Sequence, residues 1–270
     1  MPVDKLESFF NELPRLNKKK QGNIFYRGQS NIDEYKLTPS VFREGKETSE
    51  HKIYNEIMTE CAHEFDDCQL HNEILSKMQH YGVPTRLLDV TTNALVALYF
   101  ACASNPDVNG AVYVIQSEEI NIKRFDSDTI SILSSLPRFK YDEKITIREL
   151  AEKSTISEFN EELIIKRLLH EIKKEKPAFE NIIDPADLLK NYVFIPRKVN
   201  ARIIRQSGAF IIFGLGQKEI AKSDVQEIVI DKNSKNIIID QLSCFGISKA
   251  SLHPELYKVA EYISEKYKLI

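Results

Sequence analysis

The apolar run from Ala94 to Ala103 is the clearest structural signal in the chain. It reads ALVALYFACA and carries no charged side chain. A helix that is apolar on every side must be covered on every side, so this helix is predicted to be a central core element. Thr91, Thr92 and Asn93 precede it, and their side chains can accept hydrogen bonds from the free N–H groups of its first turn. The N-terminus of the helix is therefore predicted to be held rigidly.

Shorter apolar runs and helical spacing predict the other elements. Strands are expected at 24–30, 86–90, 111–116, 192–196, from 209 and at 225–230, and helices at 49–67, 157–174 and 254–268. A basic turn is expected at 17–22 and an extended loop at 35–43, and residues 237–245 fit a strand or a helix. Residues 117–155 show scattered apolar positions, so a peripheral insertion is predicted at about 117–190. Since no repeat or linker interrupts this order, one α+β domain covering 1–270 is expected.

Composition and charge exclude some classes of protein. The 270 residues carry a net charge of -3 with an isoelectric point near 6.1, a poor match for a dedicated DNA-binding protein. No apolar run is long enough to span a membrane, and the first residues lack the pattern of a signal peptide. A cytoplasmic protein without membrane association is therefore expected. Cys61, His63, Cys68 and His71 cluster in sequence, but on one helix His63 points away from the two cysteines, so no metal site is predicted.

Polar groups are concentrated before the central helix. His80 and Tyr81 end a predicted helix, and Arg86 and Asp89 lie on the strand that leads to Thr91. One interpretation makes these residues ordinary helix caps and local structural polars. The alternative, favoured by their density at a buried strand-to-helix junction, is a functional site on a rigid scaffold. A histidine with a pKa near neutrality can also transfer protons.

Two further segments carry candidate chemistry. Arg27 ends a predicted strand and is followed by Gly28, which suits the close approach of a phosphate or carboxylate to guanidinium and backbone; a structural salt bridge is the alternative. A short predicted helix carries Arg202, Arg205 and Gln206 before a turn at Gly208. We expect Arg27, residues 79–92 and residues 202–208 to converge on one concave site.

Five motifs together resemble the FRG domain family. They are YRGQ at 26–29, LTPSVFR at 37–43, MQHYGVPTRLLDVTTNALVALYFA at 78–101, RIIRQSGAF at 202–210 and GISKASLHPEL at 246–256. The resemblance covers nearly the whole chain. Val90 departs from it, because the family has a tryptophan after the aspartate, and this should alter core packing more than chemistry. The chain is therefore expected to be a single FRG-type domain.

A second, weaker resemblance is to ADP-ribosyltransferases. It rests on the order strand-Arg-Gly, hydroxyl-rich strand end, apolar helix and β-branched strand. It implies a mixed, mostly antiparallel sheet flanked by helices, with NAD as the candidate substrate and no metal. On this comparison Arg27 holds the NAD diphosphate or ribose, and Thr91 and Thr92 replace the serine-threonine pair of that family. The glutamate that follows a Gln or Glu by two residues in those enzymes is absent, because Gly208 occupies its position after Gln206.

These resemblances predict a list of site residues. The catalytic candidates are Arg27, His80, Asp89 and Gln206; the cofactor-binding candidates are Arg27, Gly28, Tyr81, Arg86, Thr91 and Thr92. Asp89 is the candidate for the carboxylate, although it lies on a different element, and a more distant acid is the alternative.

Two classes of function follow. The first is an NAD-dependent ADP-ribosyltransferase that modifies a protein or nucleic acid, as a toxin or an antiphage defence effector. The second is a non-catalytic module that binds a nucleotide, a nucleic acid or a protein.

Overall fold

The computed structural model describes residues 2–17, 22–34, 37–221 and 225–267. Most of the predicted basic turn, the first two residues of the predicted loop at 35–43 and the last residue of the predicted C-terminal helix lie outside these ranges. The strands are β1 Asn23–Gln29, β2 Leu87–Thr91, β3 Gly110–Ser117, β4 Ile122–Arg124, β5 Tyr192–Ile195, β6 Gly208–Ile212 and β7 Val225–Ile230. Within the described residues they form one sheet with the order β4-β5-β6-β2-β1-β3-β7.

Helices flank this sheet. They are α1 Leu6–Asn17, α2 Glu50–Glu60, α3 His71–His80, α4 Ala94–Cys102, α5 Asp128–Ser135, α6 Tyr141–Lys153, α7 Ile156–Glu161, α8 Leu163–Glu175, α9 Pro185–Leu189, α10 Ala201–Arg205, α11 Lys235–Cys244, α12 Lys249–Leu252 and α13 Leu256–Lys266. The predicted α+β class is confirmed. Strands β4 and β5 are parallel and the other neighbours are antiparallel, so the prediction of a mixed, mostly antiparallel sheet is also confirmed.

The sheet is divided where β1 meets β2. Seven residue pairs join β1 to β3 and five join β2 to β6, whereas β1 and β2 share one pair, Tyr26 with Thr91. Two separate hydrophobic clusters cover the face on which Tyr26 lies. One surrounds α4 and α11, and the other contains α5, α8 and the buried side chains of β5 and β6. The division of the sheet therefore coincides with a boundary between two packed layers.

Helix α4 is the central core element that its sequence predicts. Most of its side chains are buried, among them Val96, Ala97, Leu98 and Ala101. Asn93 is its N-cap, with Oδ1 accepting from the Leu95 N–H at 2.9 Å. Such caps contribute about 1 kcal/mol, so the start of α4 is fixed locally as well as by packing.

The region 117–190 contains more regular structure than its sequence suggests. It includes β4 and α5 to α9, and α5 is fully buried along most of its length. The predicted helix at 157–174 is two helices, because Glu162 has an extended backbone between α7 and α8. The ambiguous segment 237–245 is helix α11, which is followed by Gly246 at φ +75°. The single domain and its peripheral insertion stay predictions.

No helix in the described ranges combines the length and the apolar character needed to cross a bilayer.

Candidate functional site

The division between β1 and β2 opens a cavity of about 200 Å³. Three segments that are far apart in sequence line it. They contribute Tyr26, Arg27 and Gly28 from β1; Asp89, Val90 and Thr91 from β2, with Val96 and Phe100 from α4 behind them; and Arg202 and Gln206 from α10 and its end. The predicted convergence of these segments on one concave site is confirmed. Whether these residues act in catalysis or cofactor binding stays a prediction.

Arg27 links the two halves of the sheet where the strand pairing stops. Its Nη1 donates to the backbone carbonyl of Asp89 at 2.7 Å. Burial lowers the pKa of Arg27 and the nearby Asp89 carboxylate raises it, but a guanidinium stays protonated in either case. The cavity therefore holds a permanent positive charge at the point of division.

The Asp89 carboxylate is held by an amide. Its Oδ2 accepts from Gln79 Nε2 at 2.7 Å, and Gln79 Oε1 in turn accepts from Thr85 Oγ1 at 2.6 Å. The interpretation of Asp89 as a cap of α4 is wrong, because Asn93 is the cap. Arg86, immediately before the same strand, pairs with Glu50 instead. Asp89 remains exposed on its strand, so its charge is accessible from the cavity.

Thr91 and Thr92 differ in position. Thr91 Oγ1 donates to the Gln206 carbonyl at 2.7 Å and accepts from the Asn93 N–H at 3.0 Å, so this hydroxyl ties β2 to the end of α10. Thr92 is exposed and its Oγ1 lies 3.4 Å from the Ser207 carbonyl, away from the cavity lining. Of the two hydroxyls, only that of Thr91 is at the cavity. Gln206 is fixed further by its Nε2, which donates to the Leu252 carbonyl at 3.1 Å.

His80 and Tyr81 lie behind Arg202 and do not line the cavity. His80 Nε2 is 3.2 Å from Glu255 Oε1, and the His80 carbonyl accepts from Arg202 Nη1 at 3.4 Å. Burial and Arg202 lower the pKa of His80, while Glu255 and Asp89 oppose this shift. His80 is therefore neutral at pH 7. Tyr81 is 63% exposed and contacts the His80 ring edge-on.

The structure does not bring Arg86 to the cavity. It is 1% exposed, immediately before β2, and its Nε and Nη2 donate to Glu50 at 2.9 and 2.6 Å. The predicted cofactor-binding role does not fit this position. Burial of a guanidinium costs free energy unless a carboxylate pairs with it, and Glu50 supplies that carboxylate.

Gly28 has a packing reason for lacking a side chain. A Cβ at this position would lie 1.8 Å from the Ala97 carbonyl oxygen and 2.8 Å from the Ala101 nitrogen. The glycine therefore lets α4 lie directly on β1. The sequence suggested that Gly28 leaves room for an approaching phosphate. In the structure, the contact with α4 requires the absence of a side chain.

Several residues near the cavity were not predicted. Tyr26, Val96 and Phe100 form its apolar wall. Glu255 lies 4.0 Å from Arg202, and among the described residues its two buried carboxylate oxygens accept no hydrogen bond, although Oε1 lies 3.2 Å from His80. The position of Glu255 in the motif at 246–256 was the feature of the sequence that could have indicated a role near the site. Glu255 follows α12, which packs against α10, and this proximity could not be predicted from the sequence alone.

One family model matches part of the chain. Residues 22–110 match the model of the FRG domain. The matched part runs from β1 through α4 to the start of β3, so it includes Arg27, Asp89 and Thr91 but not Arg202 or Gln206. The matched segment therefore supplies most of the residues that line the cavity. Searches of curated proteins and of solved structures gave no match.

Proposed function

We propose that the cavity binds the phosphate and ribose part of NAD and that the protein is an ADP-ribosyltransferase. The observation that carries this proposal is the meeting of Arg27, Arg202 and the Asp89 carboxylate in one cavity between β1 and β2. A diphosphate needs paired cationic donors. A ribosyl centre that becomes positively charged needs a nearby carboxylate. The ADP-ribosyltransferase-like fold is part of the same proposal.

The residues divide the reaction between them. Arg27 and Arg202 hold the diphosphate, and the apolar wall of Val96 and Phe100 excludes water from the nicotinamide side. The bond between ribose C1′ and the nicotinamide nitrogen breaks, and its electron pair leaves with neutral nicotinamide. Asp89 stabilises the oxocarbenium-like state until a nucleophile of the acceptor attacks C1′ and releases its proton to solvent. His80, neutral behind Arg202, keeps that arginine in place.

The size of the cavity limits how the ligand lies. A site that encloses a drug-sized molecule has about 300–1,000 Å³, and this cavity has about 200 Å³. It therefore encloses one end of a dinucleotide, and the remainder lies across the open rim.

Arg27→Ala is expected to weaken NAD binding by about tenfold to one hundredfold, since hydrogen bonds to charged groups contribute about 1.5–3 kcal/mol. The variant also loses the bond to the Asp89 carbonyl, so a decrease of about 1 kcal/mol in the free energy of unfolding is expected. Calorimetric titration with NAD, ADP-ribose and ATP measures the affinity. Arg27→Lys should recover little binding, because an ammonium does not pair in two places with a phosphate.

Arg197→Ala is the matched control for the loss of one positive charge, because Arg197 is half exposed and lies outside the cavity. It should bind NAD as the wild type does. Absence of any heat with all three nucleotides at millimolar concentration would contradict the proposal.

Asp89→Asn is expected to reduce turnover of NAD far more than binding. The amide keeps the shape of the side chain but removes the charge that stabilises the oxocarbenium-like state. Labelled NAD is incubated with each protein and a cell lysate, and released nicotinamide and labelled products are both followed. If wild-type turnover survives in Asp89→Asn, then Asp89 is not the essential acid, and Glu255→Gln is the next variant to measure.

A non-catalytic binding module is the second candidate function. Two observations favour it. Gly208 stands where the related transferases have a glutamate, and Arg27 Nη1 is already bonded to the backbone of Asp89. In that case NAD or a macromolecule binds in the cavity and neither wild type nor variant releases nicotinamide.

The resemblance to FRG and transferase proteins also supports a biological role. We propose a toxin or an antiphage defence effector that acts in the cytoplasm on a protein or nucleic acid. Expression of the wild type and of Asp89→Asn in a bacterial host, with growth and phage plating as readouts, tests this role.

A further inference from the structure

A second pocket lies at the other end of β2 from the central cavity. It has a volume of about 50 Å³ and lies between α2, α6 and the end of β6. Four cationic side chains but only two carboxylates line it: Arg86, Lys144, Arg148 and Lys218 against Glu47 and Glu50. Phe42 and Tyr141 contribute aromatic rings to its wall. The lining of the pocket therefore carries a net positive charge.

The innermost charges of this pocket do not balance. Arg86, Lys144 and Glu50 are each at most 5% exposed. Arg86 donates twice to Glu50 and once, from Nη1, to the Phe213 carbonyl at 2.9 Å. Lys144 Nζ donates to the same Glu50 Oε2 that accepts from Arg86. Two buried cations thus share one carboxylate, and a net buried positive charge is costly unless a further anion compensates it.

Within the part of the chain that the structure describes, several donors at the pocket have no acceptor. A lysine ammonium carries three N–H groups, and Lys144 uses one of them among the described residues. Arg148 Nε is buried and, within the described ranges, has no hydrogen-bond partner; its nearest carboxylate, Glu152, is 3.8 Å away. Buried donors in native proteins are almost always paired with protein, water or a ligand.

Helix α6 is arranged to present these groups together. Tyr141, Lys144, Ile145 and Arg148 all line the pocket and follow the spacing of one helix face. Lys218 reaches the same pocket from the segment after β6 and pairs with Glu47. The cations therefore come from three parts of the chain: the start of β2, helix α6 and the segment after β6.

We infer that this pocket is a binding site for a phosphate-type oxyanion. The ion accepts from Lys144 and Arg148 and compensates the net charge of the buried group around Glu50. A buried water needs about 10–15 Å³ on this measure of volume, so about 50 Å³ admits a small oxyanion and excludes a nucleobase. The source of the ion is free phosphate or the terminal phosphate of a nucleotide whose base lies outside.

The test is a titration of the full chain with inorganic phosphate at pH 7.5, against sodium chloride at equal ionic strength. Thermal unfolding and calorimetry are both measured. Phosphate is expected to raise the unfolding temperature with saturation, and chloride is expected to have little effect. Arg148→Gln, a partly exposed position that should fold normally, is expected to weaken phosphate binding about tenfold.

Two controls isolate the pocket. Lys153→Gln removes an exposed positive charge from the same helix and should bind phosphate as the wild type does. Arg27→Ala removes one cation of the central cavity, and a saturable effect of phosphate should remain in this variant. Lys144→Gln should abolish the effect, and its folding is checked by circular dichroism.

Loss of phosphate binding in Arg148→Gln but not in Lys153→Gln or Arg27→Ala supports the inference. ADP that binds more tightly than phosphate, and loses affinity in Arg148→Gln, identifies a nucleotide as the source; ADP that binds no more tightly identifies free phosphate. Equal effects of phosphate and chloride, or a phosphate effect that disappears only in Arg27→Ala, would overturn it.

Discussion

Glu50→Gln is expected to lower the free energy of unfolding by about 3–5 kcal/mol. The substitution keeps the size of the side chain but leaves Arg86 and Lys144 buried without their carboxylate. Burial on its own raises the pKa of Glu50, but Arg86 and Lys144 outweigh it and lower the pKa to about 2. Urea unfolding followed by circular dichroism measures the loss. Glu56→Gln, an exposed position on the same helix, should change stability by less than about 0.5 kcal/mol.

The same group sets a dependence on pH. Because the folded-state pKa of Glu50 is below its unfolded value of 4.5, the unfolded chain takes up a proton first as the pH falls. The contribution of Glu50 is therefore complete above about pH 5 and is lost as the pH falls from 4.5 towards 2. The loss is about 3 kcal/mol, at 1.36 kcal/mol for each pKa unit. Glu50→Gln should lack this part of the acid dependence.

A second substitution shows how much of this loss of stability comes from the buried charge of Lys144. In Glu50→Gln, both Arg86 and Lys144 remain as buried cations. In Glu50→Gln combined with Lys144→Met, only Arg86 of these two remains. The double variant should be more stable than Glu50→Gln alone. If Glu50→Gln unfolds at the same urea concentration as wild type, the carboxylate does not hold the two cations together.

Gly28→Ala is expected to destabilise the protein by about 3 kcal/mol or more. The added methyl group would lie 1.8 Å from the Ala97 carbonyl oxygen, which belongs to the backbone of α4 and cannot rotate away. Helix α4 must therefore move off β1. Because Val96 and Phe100 of α4 also line the central cavity, the same displacement should change the shape of that cavity.

Gly208→Ala is the matched control for this glycine. At Gly208 the added methyl would meet its nearest atom, the Ile203 carbonyl oxygen, at 3.4 Å, an ordinary contact. A loss of less than about 1 kcal/mol is expected there. Equal urea midpoints for Gly28→Ala and wild type would mean that α4 tolerates the displacement, which would contradict the packing account of this glycine.

The sequence predicted the strands better than it predicted the region after β3. The β-branched runs at 111–116 and 225–230 correspond closely to β3 and β7. Helix α5 was missed because its polar residues suggested a surface segment. Ser134 and Ser135 are fully buried, and their hydroxyls donate within the helix, to the Ile130 carbonyl at 2.6 Å and the Ser131 carbonyl at 2.8 Å. A hydroxyl satisfied by its own helix can be buried at little cost, and composition does not reveal this.

The sequence predicted some residues of the candidate site correctly and misplaced others. The convergence of Arg27, Asp89, Thr91 and Gln206 followed from motifs in which strand ends meet turns. Arg86 has the same local sequence features, but its partner Glu50 lies 36 positions earlier, on a helix whose orientation a single sequence does not give. A partner that is distant in sequence is what distinguishes a buried structural arginine from a ligand-binding arginine.

The Asp89 carbonyl competes with any anion that enters the central cavity for a hydrogen bond from Arg27 Nη1. An anion that accepts from the same N–H of Arg27 must displace an acceptor that is covalently part of the site. The measured affinity is then the intrinsic affinity multiplied by the fraction of molecules in which this guanidinium is released. A substitution that widens the division between β1 and β2 would increase that fraction, so it could tighten anion binding while lowering the stability of the sheet.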